Sequence, residues 1–111
     1  MPMAAISIDE FRTVELRVAT ITAAAPHPNA DRLLVLTIDL GNEQRQLVAG
    51  IRAHYQPEEL VGKQIVVVAN LQPATLRGIE SQGMLLAASD DQGRLAILSP
   101  EKPVANGAQV K

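Results

Sequence analysis

The sequence has no cysteine and no tryptophan, with one phenylalanine and one tyrosine in 111 residues. Without cysteine there can be no disulfide, no thiol nucleophile and no thiolate ligand for zinc. With Phe11 and Tyr55 as the only aromatics, a core must be built from Val, Leu, Ile and Ala. No apolar run approaches the ~20 residues that a membrane-spanning helix needs. The opening stretch MPMAAISIDE has no basic region and carries acids early, unlike a secretory signal peptide. An excess of positive charge is also missing. Ten basic and twelve acidic side chains leave a net charge of −2. Together these absences point to a cytoplasmic protein without a membrane segment. The charge balance argues mildly against nucleic acid as a partner, unless the basic residues cluster.

Catalytic constellations are missing as well. Catalysis needs a nucleophile with a base, a pair of carboxylates or a metal. The two histidines, His27 and His54, have no second ligand at metal spacing. Asp90-Asp91 falls in a turn, and Glu58-Glu59 suits a helix N-terminus through the macrodipole. No glycine-rich phosphate loop follows a strand. The expectation is a protein that is not an enzyme and holds no metal or cofactor.

What is present fits one domain, 1–111, with 47% apolar residues to form a core. Ser7 and Glu10 have capping-box spacing, which predicts a short helix to about Arg12. Val14, Leu16 and Val18 alternate with polar residues and predict a strand. Ile21 breaks that alternation, so a bulge is expected near Ala19-Thr20. His27–Asp31 reads as a turn, and Leu33–Leu40 and Gln46–Ala49 as strands joined at Gly41-Asn42. Pro57 and Gly62 bracket a helical turn or two. Lys63–Ala69 is a β-branched strand. Met84–Ser89 and Arg94–Leu98 form a hairpin across Asp90–Gly93. A tail from Pro100 to Lys111 has Val104 and Val110 as candidate anchors. Five or six short strands, with a helix between the third and fourth, predict an all-β fold: an OB-type five-stranded Greek-key barrel with short helices and extra terminal elements.

Between two apolar strands lies NLQPATLRGIESQGM, residues 70–84, far longer and more polar than a simple hairpin turn. The residues leave two readings open. One is an irregular loop that closes the barrel, with Gly78 and Gly83 at tight turns. The other is a binding loop. Asn70, Arg77, Ser81 and Gln82 are hydrogen-bonding side chains, with Glu80 the one acid among them. An arginine can fork onto a phosphate, and Met84 offers an adaptable apolar surface. Arg32, Arg45, Arg52, Lys63 and Arg77 are the candidate phosphate contacts; each can also be read as solvated surface charge, Arg77 least readily. Phe11 reads as a helix-packing residue, which leaves Tyr55 as the single candidate for base stacking. His54 and Tyr55 also suit packing over the barrel mouth.

Three segments in order, HPNADRL (27–33), LVGKQIVVVANLQP (60–73) and LRGIESQGM (76–84), resemble the tRNA-binding domain family. That family includes the C-terminal domain of bacterial methionyl-tRNA synthetases and small free-standing tRNA-binding proteins. The resemblance covers the chain from about Ile8 onward. It implies an OB-fold that binds folded tRNA by shape and backbone, with little sequence specificity and no catalysis. It implies a homodimer, expected near Ile6–Phe11 and Pro100–Val110, with a methionyl-tRNA synthetase as a further partner in trans. Asn70, Arg77, Ser81 and Met84 match the family's RNA-facing motif. The tRNA-binding set expected on both grounds is Arg32, Arg52, Asn70, Arg77, Ser81, Gln82 and Met84. Arg32 stands where the family usually has Lys. Ala74-Thr75 occupies a stretch where relatives often carry basic residues, which implies fewer phosphate contacts. A second branch of the superfamily resembles a secretion-associated peptide-binding chaperone, which lacks HPNADRL and SQGM in this form. Peptide binding and a bare dimerisation module are the alternatives.

Overall fold

The computed structural model describes residues 4–111, so the first three residues of the expected domain lie outside the described part. The helix α1 (Ile8–Phe11) carries the anticipated capping box. The Ser7 hydroxyl accepts from the Glu10 N–H, and the Glu10 carboxylate accepts from the Ser7 N–H. Three strands follow as an antiparallel meander: β1 (Leu16–Pro26), β2 (Leu34–Asp39) and β3 (Gln44–Ala49). The helix α2 (Pro57–Leu60) then carries the chain across to β4 (Gln64–Val68), which pairs with the other edge of β1. The spatial order β4-β1-β2-β3 is a Greek key. This is the mostly-β, nearly closed antiparallel barrel that the element order predicted.

The remaining strands are short: β5 (Ala74–Leu76), β6 (Ile79–Ser81), β7 (Met84–Leu85), β8 (Ala87–Ser89), β9 (Leu95–Ile97) and β10 (Gln109–Val110). Of these, β7 continues the main sheet beyond β4, and β10 pairs with Leu16 and Arg17 of β1. The tail thereby occupies the part of the β1 edge that β2 leaves free, since β2 pairs only from Thr20 onward. Covering an open strand edge removes a template for unwanted pairing.

The bulge in β1 falls at Thr22, between the pairs Ile21–Ile38 and Ala23–Thr37, rather than at Ala19-Thr20. The alternation does not need repair earlier because both faces of this stretch are covered. Ala19 and Ile21 point into the central cluster, whereas Val18 is buried outside it. The neighbouring Thr20 hydroxyl, on the Val18 face, donates to the Asn106 side chain. The strand also starts at Leu16, leaving Val14 exposed.

The core is aliphatic, as the shortage of aromatics demanded. Ile21, Leu34, Leu36, Ile38, Leu47 and Ile65 are among its fully buried members. Leu60 of α2 is fully buried in the same cluster. Tyr55 packs against the cluster, and its hydroxyl accepts the Ile97 N–H at 3.1 Å.

The sheet closes through the segment just before β7. The Gln82 N–H donates to the Gln46 carbonyl at 2.8 Å, and the Gln46 N–H donates back to Gln82 Oε1 at 3.0 Å. Gly83 follows at φ +131°, a conformation that side chains other than glycine's rarely adopt. A Cβ there would sit 2.9 Å from the Val68 carbonyl oxygen. Gly83→Ala is therefore expected to lower unfolding stability by about 1–3 kcal/mol, from backbone strain and this close approach. Urea denaturation followed by circular dichroism checks it, and an unchanged midpoint would contradict the closure geometry.

Candidate functional site

The segment 70–84 is not an irregular loop. It contains a hairpin of its own, with β5 and β6 paired from Ala74–Ser81 to Leu76–Ile79. Its turn is Arg77-Gly78, at φ +52° and +92°. Two consecutive positive φ angles define the primed turn favoured in two-residue hairpins. Asn, Asp or Gly normally occupies the first position, and Arg77 is the one described non-glycine residue with positive φ. That substitution hid the turn signal, and the three-residue strands with largely exposed side chains gave no alternation to read.

The hairpin tip reaches the turn joining β1 to β2. Arg77 Nη2 donates to the Asn29 carbonyl at 3.2 Å. Arg52, beyond β3, donates from Nη1 to the Ala30 carbonyl at 3.1 Å, and its backbone N–H bonds the Arg32 carbonyl at 3.4 Å. Three separate segments thus bring Arg32, Arg52 and Arg77 to one turn. A cleft of ≈ 390 Å³ lies there, lined by Asn29, Ala30, Asp31, Arg32, Leu33 and Arg77.

Pairing separates these cations from the others. The four ion pairs among the described residues use Arg12, Arg17, Arg45 and Arg94. Arg45 bonds the Glu43 carboxylate and the Ala69 carbonyl. The hydrogen bond from Arg45 holds the Glu43 carboxyl below the ordinary glutamate range. Arg45, one of the candidate phosphate contacts, is thereby engaged by groups of the protein itself. Lys63 stands over the Tyr55 ring at 5.5 Å, at the α2–β4 junction. By contrast, Arg32, Arg52 and Arg77 share no ion pair with a described carboxylate. Each guanidinium has five N–H donors, and Arg52 and Arg77 each use one in a side-chain hydrogen bond to the turn.

The other expected site residues are distributed differently. Asn70 Oδ1 accepts the Glu15 N–H at 2.8 Å, and its amide donates to the Thr13 carbonyl at 2.7 Å. It ties the α1 segment to the end of β4. Ser81 is 4% exposed. Its hydroxyl accepts the Val48 N–H at 2.9 Å and donates to the Gly83 carbonyl at 2.8 Å. Gln82 joins the closing seam through both backbone and side chain. Met84 is 48% exposed, and it lies on an apolar groove of ≈ 510 Å³ lined also by Ile51, Leu71, Leu76, Leu86 and Leu95. Arg32, Arg52 and Arg77 therefore meet at one turn, with Met84 on a neighbouring surface, while Asn70, Ser81 and Gln82 hydrogen-bond backbone groups of the fold, Ser81 buried and Asn70 exposed.

Sequence reasoning did not single out His27 as functional. It is 2% exposed and sits at the centre of this arrangement. One ring nitrogen, Nδ1, accepts the Asn29 N–H at 3.0 Å, and the other, Nε2, lies 2.9 Å from the Leu76 carbonyl oxygen.

A family model described as "Putative tRNA binding domain" matches residues 16–109. The methionine–tRNA ligase of Thermococcus kodakarensis is 56% identical over 106 residues, which are 96% of this chain and 14% of that protein. The chain thus spans about one-seventh of the length of that relative. Among solved structures, a MetRS-related protein from Pyrococcus horikoshii superimposes with a TM-score of 0.93 at 36% identity, covering 98% of this chain and 100% of that one. The chaperone CsaA from Bacillus anthracis superimposes with a TM-score of 0.90 at 32% identity, covering 97% and 100%.

Ser81→Ala would leave the buried Val48 N–H without a partner, a loss of about 1–3 kcal/mol. Thermal unfolding is the check. The expected outcome is a lower midpoint, with any loss of ligand binding restored when folded protein is compared at low temperature.

Proposed function

Because the chain belongs to the tRNA-binding domain family, we propose that it is a binding module that grips the backbone of folded tRNA and performs no catalysis. The observation that carries this reading is the convergence of Arg32, Arg52 and Arg77 on the turn 27–33, without partner carboxylates among the described ion pairs. The turn carbonyls hold two of the guanidiniums by one side-chain bond each, which aims them and leaves most donors free. Planar forks of this kind suit phosphate oxygens.

A structured RNA fits better than a single strand. Single-strand binders stack bases on aromatic rings, but Phe11 is half-buried on α1 and the Tyr55 hydroxyl is engaged by Ile97. Recognition by shape, phosphate and 2′-hydroxyl needs no aromatic platform and carries little sequence preference. Three phosphate contacts give a salt slope of roughly −2 to −3 for one protomer. Two copies on one tRNA roughly double the slope and gain affinity through effective concentration. Homodimerisation belongs to the proposal for that reason. Ile6, Ile8, Val14 and Val104 are exposed apolar side chains near the two termini and supply material for such an interface. A methionyl-tRNA synthetase, reached in trans or in the same polypeptide, is the partner that the relatives suggest. The expected compartment is the cytoplasm, and no described helix is long and apolar enough to cross a membrane.

The groove beside Met84 favours a second reading. It is mainly aliphatic, and a neighbour of the same fold is a chaperone. An extended apolar peptide would suit it. Fluorescence anisotropy against folded tRNA, an unstructured RNA of equal length and an apolar peptide separates the readings. Preference for folded tRNA with a slope of several units supports the first. Salt-insensitive peptide binding alone supports the second.

Arg77 supplies a sharper test because its backbone is strained. A left-handed conformation costs an ordinary L-residue about 1–2 kcal/mol, and Asn tolerates it better. Arg77→Asn is expected to raise unfolding stability by about 1 kcal/mol while lowering tRNA affinity by about 10- to 100-fold, the worth of a charge-assisted hydrogen bond. Thermal melts and anisotropy read the two effects. A variant that binds tRNA as tightly as the parent would remove Arg77 from the interface.

A further inference from the structure

We infer that His27 is the positioning residue of the arginine cluster, holding the turn and the hairpin tip in register while touching no RNA itself. The inference rests on the tRNA-binding reading above and deepens it.

The partners of the ring fix its protonation. A backbone N–H only donates, so the Asn29 N–H, 3.0 Å from Nδ1, requires that nitrogen to be bare. A carbonyl oxygen only accepts, so the Leu76 carbonyl, 2.9 Å from Nε2, requires that nitrogen to carry the proton. One species meets both demands: the neutral ring protonated at Nε2. His27 therefore bridges Asn29 and Leu76, residues that are otherwise far apart in the chain. Each of these two bonds lies next to a group that places Arg77. Leu76 immediately precedes Arg77, and the carbonyl of Asn29 is the group that receives Arg77 Nη2. The backbone of His27 adds a third tie, its N–H donating to the Leu33 carbonyl at 3.0 Å across the base of the turn. Only 2% of the residue is exposed, so it meets no ligand. Removing the ring frees the hairpin tip from the turn, and the guanidiniums no longer reach a common backbone together.

Two measurements on the full chain test this, both by anisotropy with labelled folded tRNA. The first compares the parent, Arg77→Ala and His27→Gln across a salt series. His27→Gln is expected to weaken binding about tenfold, the worth of one charge-assisted hydrogen bond. It is also expected to flatten the salt slope by about one unit for each phosphate that the arginines no longer reach. A role confined to stability would reduce the active fraction and leave the slope of the folded molecules unchanged, which would overturn the proposal. The second uses His27→Asn, whose shorter amide keeps a donor and an acceptor but cannot span from the Asn29 N–H to the Leu76 carbonyl. It is expected to weaken binding and flatten the slope in the same direction, and a folded His27→Asn with the parent's affinity and slope would overturn the proposal even if His27→Gln does not fold. A parent that fails to bind tRNA sinks the functional reading and this inference together. Binding that is lost in Arg77→Ala but unchanged in affinity and slope in His27→Gln sinks the inference alone.

Discussion

The seam between Gln46–Val48 and Glu80–Gln82 is the constraint on which the rest depends. Without it the meander β1-β2-β3 and the returning strands β4 and β7 form an open curled sheet with an unpaired β3 edge. Side chains do much of the joining. Ser81 and Gln82 each accept a backbone N–H of β3 through a side-chain oxygen, and the Gln46 amide donates to the Glu80 carbonyl. A backbone bond from Gln82 to Gln46 completes the seam. An aliphatic core with so few aromatics depends on the shell around it keeping water out. The seam supplies that closure, and it also fixes the base of the β5–β6 hairpin.

From that fixed base the geometry of the arginine cluster follows. The hairpin is short, so its tip can lie only where β6 aims it, and it is aimed at the turn between β1 and β2. There the backbone carbonyls of Asn29, Ala30 and Arg32 act as a rack for Arg77 and Arg52. An acidic protein can thus present a local cationic surface, because several of its acids are engaged elsewhere. Glu15, Glu43 and Asp90 each face an arginine of their own. The Asp90 carboxyl is held below its usual range mainly by the Arg94 backbone N–H and guanidinium, as expected of an engaged turn residue. Net charge describes the whole surface, whereas phosphate recognition depends on the few cations left without internal ion pairs.

The hairpin borders two surfaces of different chemistry. Its tip carries Arg77, beside the turn that holds Arg32, and its side borders the aliphatic groove at Leu76 and Met84. The resemblance to both a synthetase-related protein and a chaperone follows from shared architecture. That likeness is one of fold, and function resides in the site more than in the fold.

Local signals in the sequence determined the capping box at Ser7–Glu10, the Gly41-Asn42 and Asp90–Gly93 turns, the alternating strands and the all-β class. Each is set by residues within a few positions of one another, so the pattern alone carries it. The motifs at 27–33 and 76–84 also marked the region where the arginines converge. Tertiary structure decided what the polar side chains in that region do. Ser81 and Gln82 meet backbone partners 33 and 36 residues away. Asn70 meets Glu15 across 55 residues. Arg77 and His27 meet the far sides of one turn and hairpin at separations of 48 and 49. A hydrogen-bonding side chain reads the same in sequence whether its partner is RNA or a backbone N–H brought in from another strand. Only the closed chain shows which of these donors and acceptors find partners within the fold, because those partners arrive from other strands.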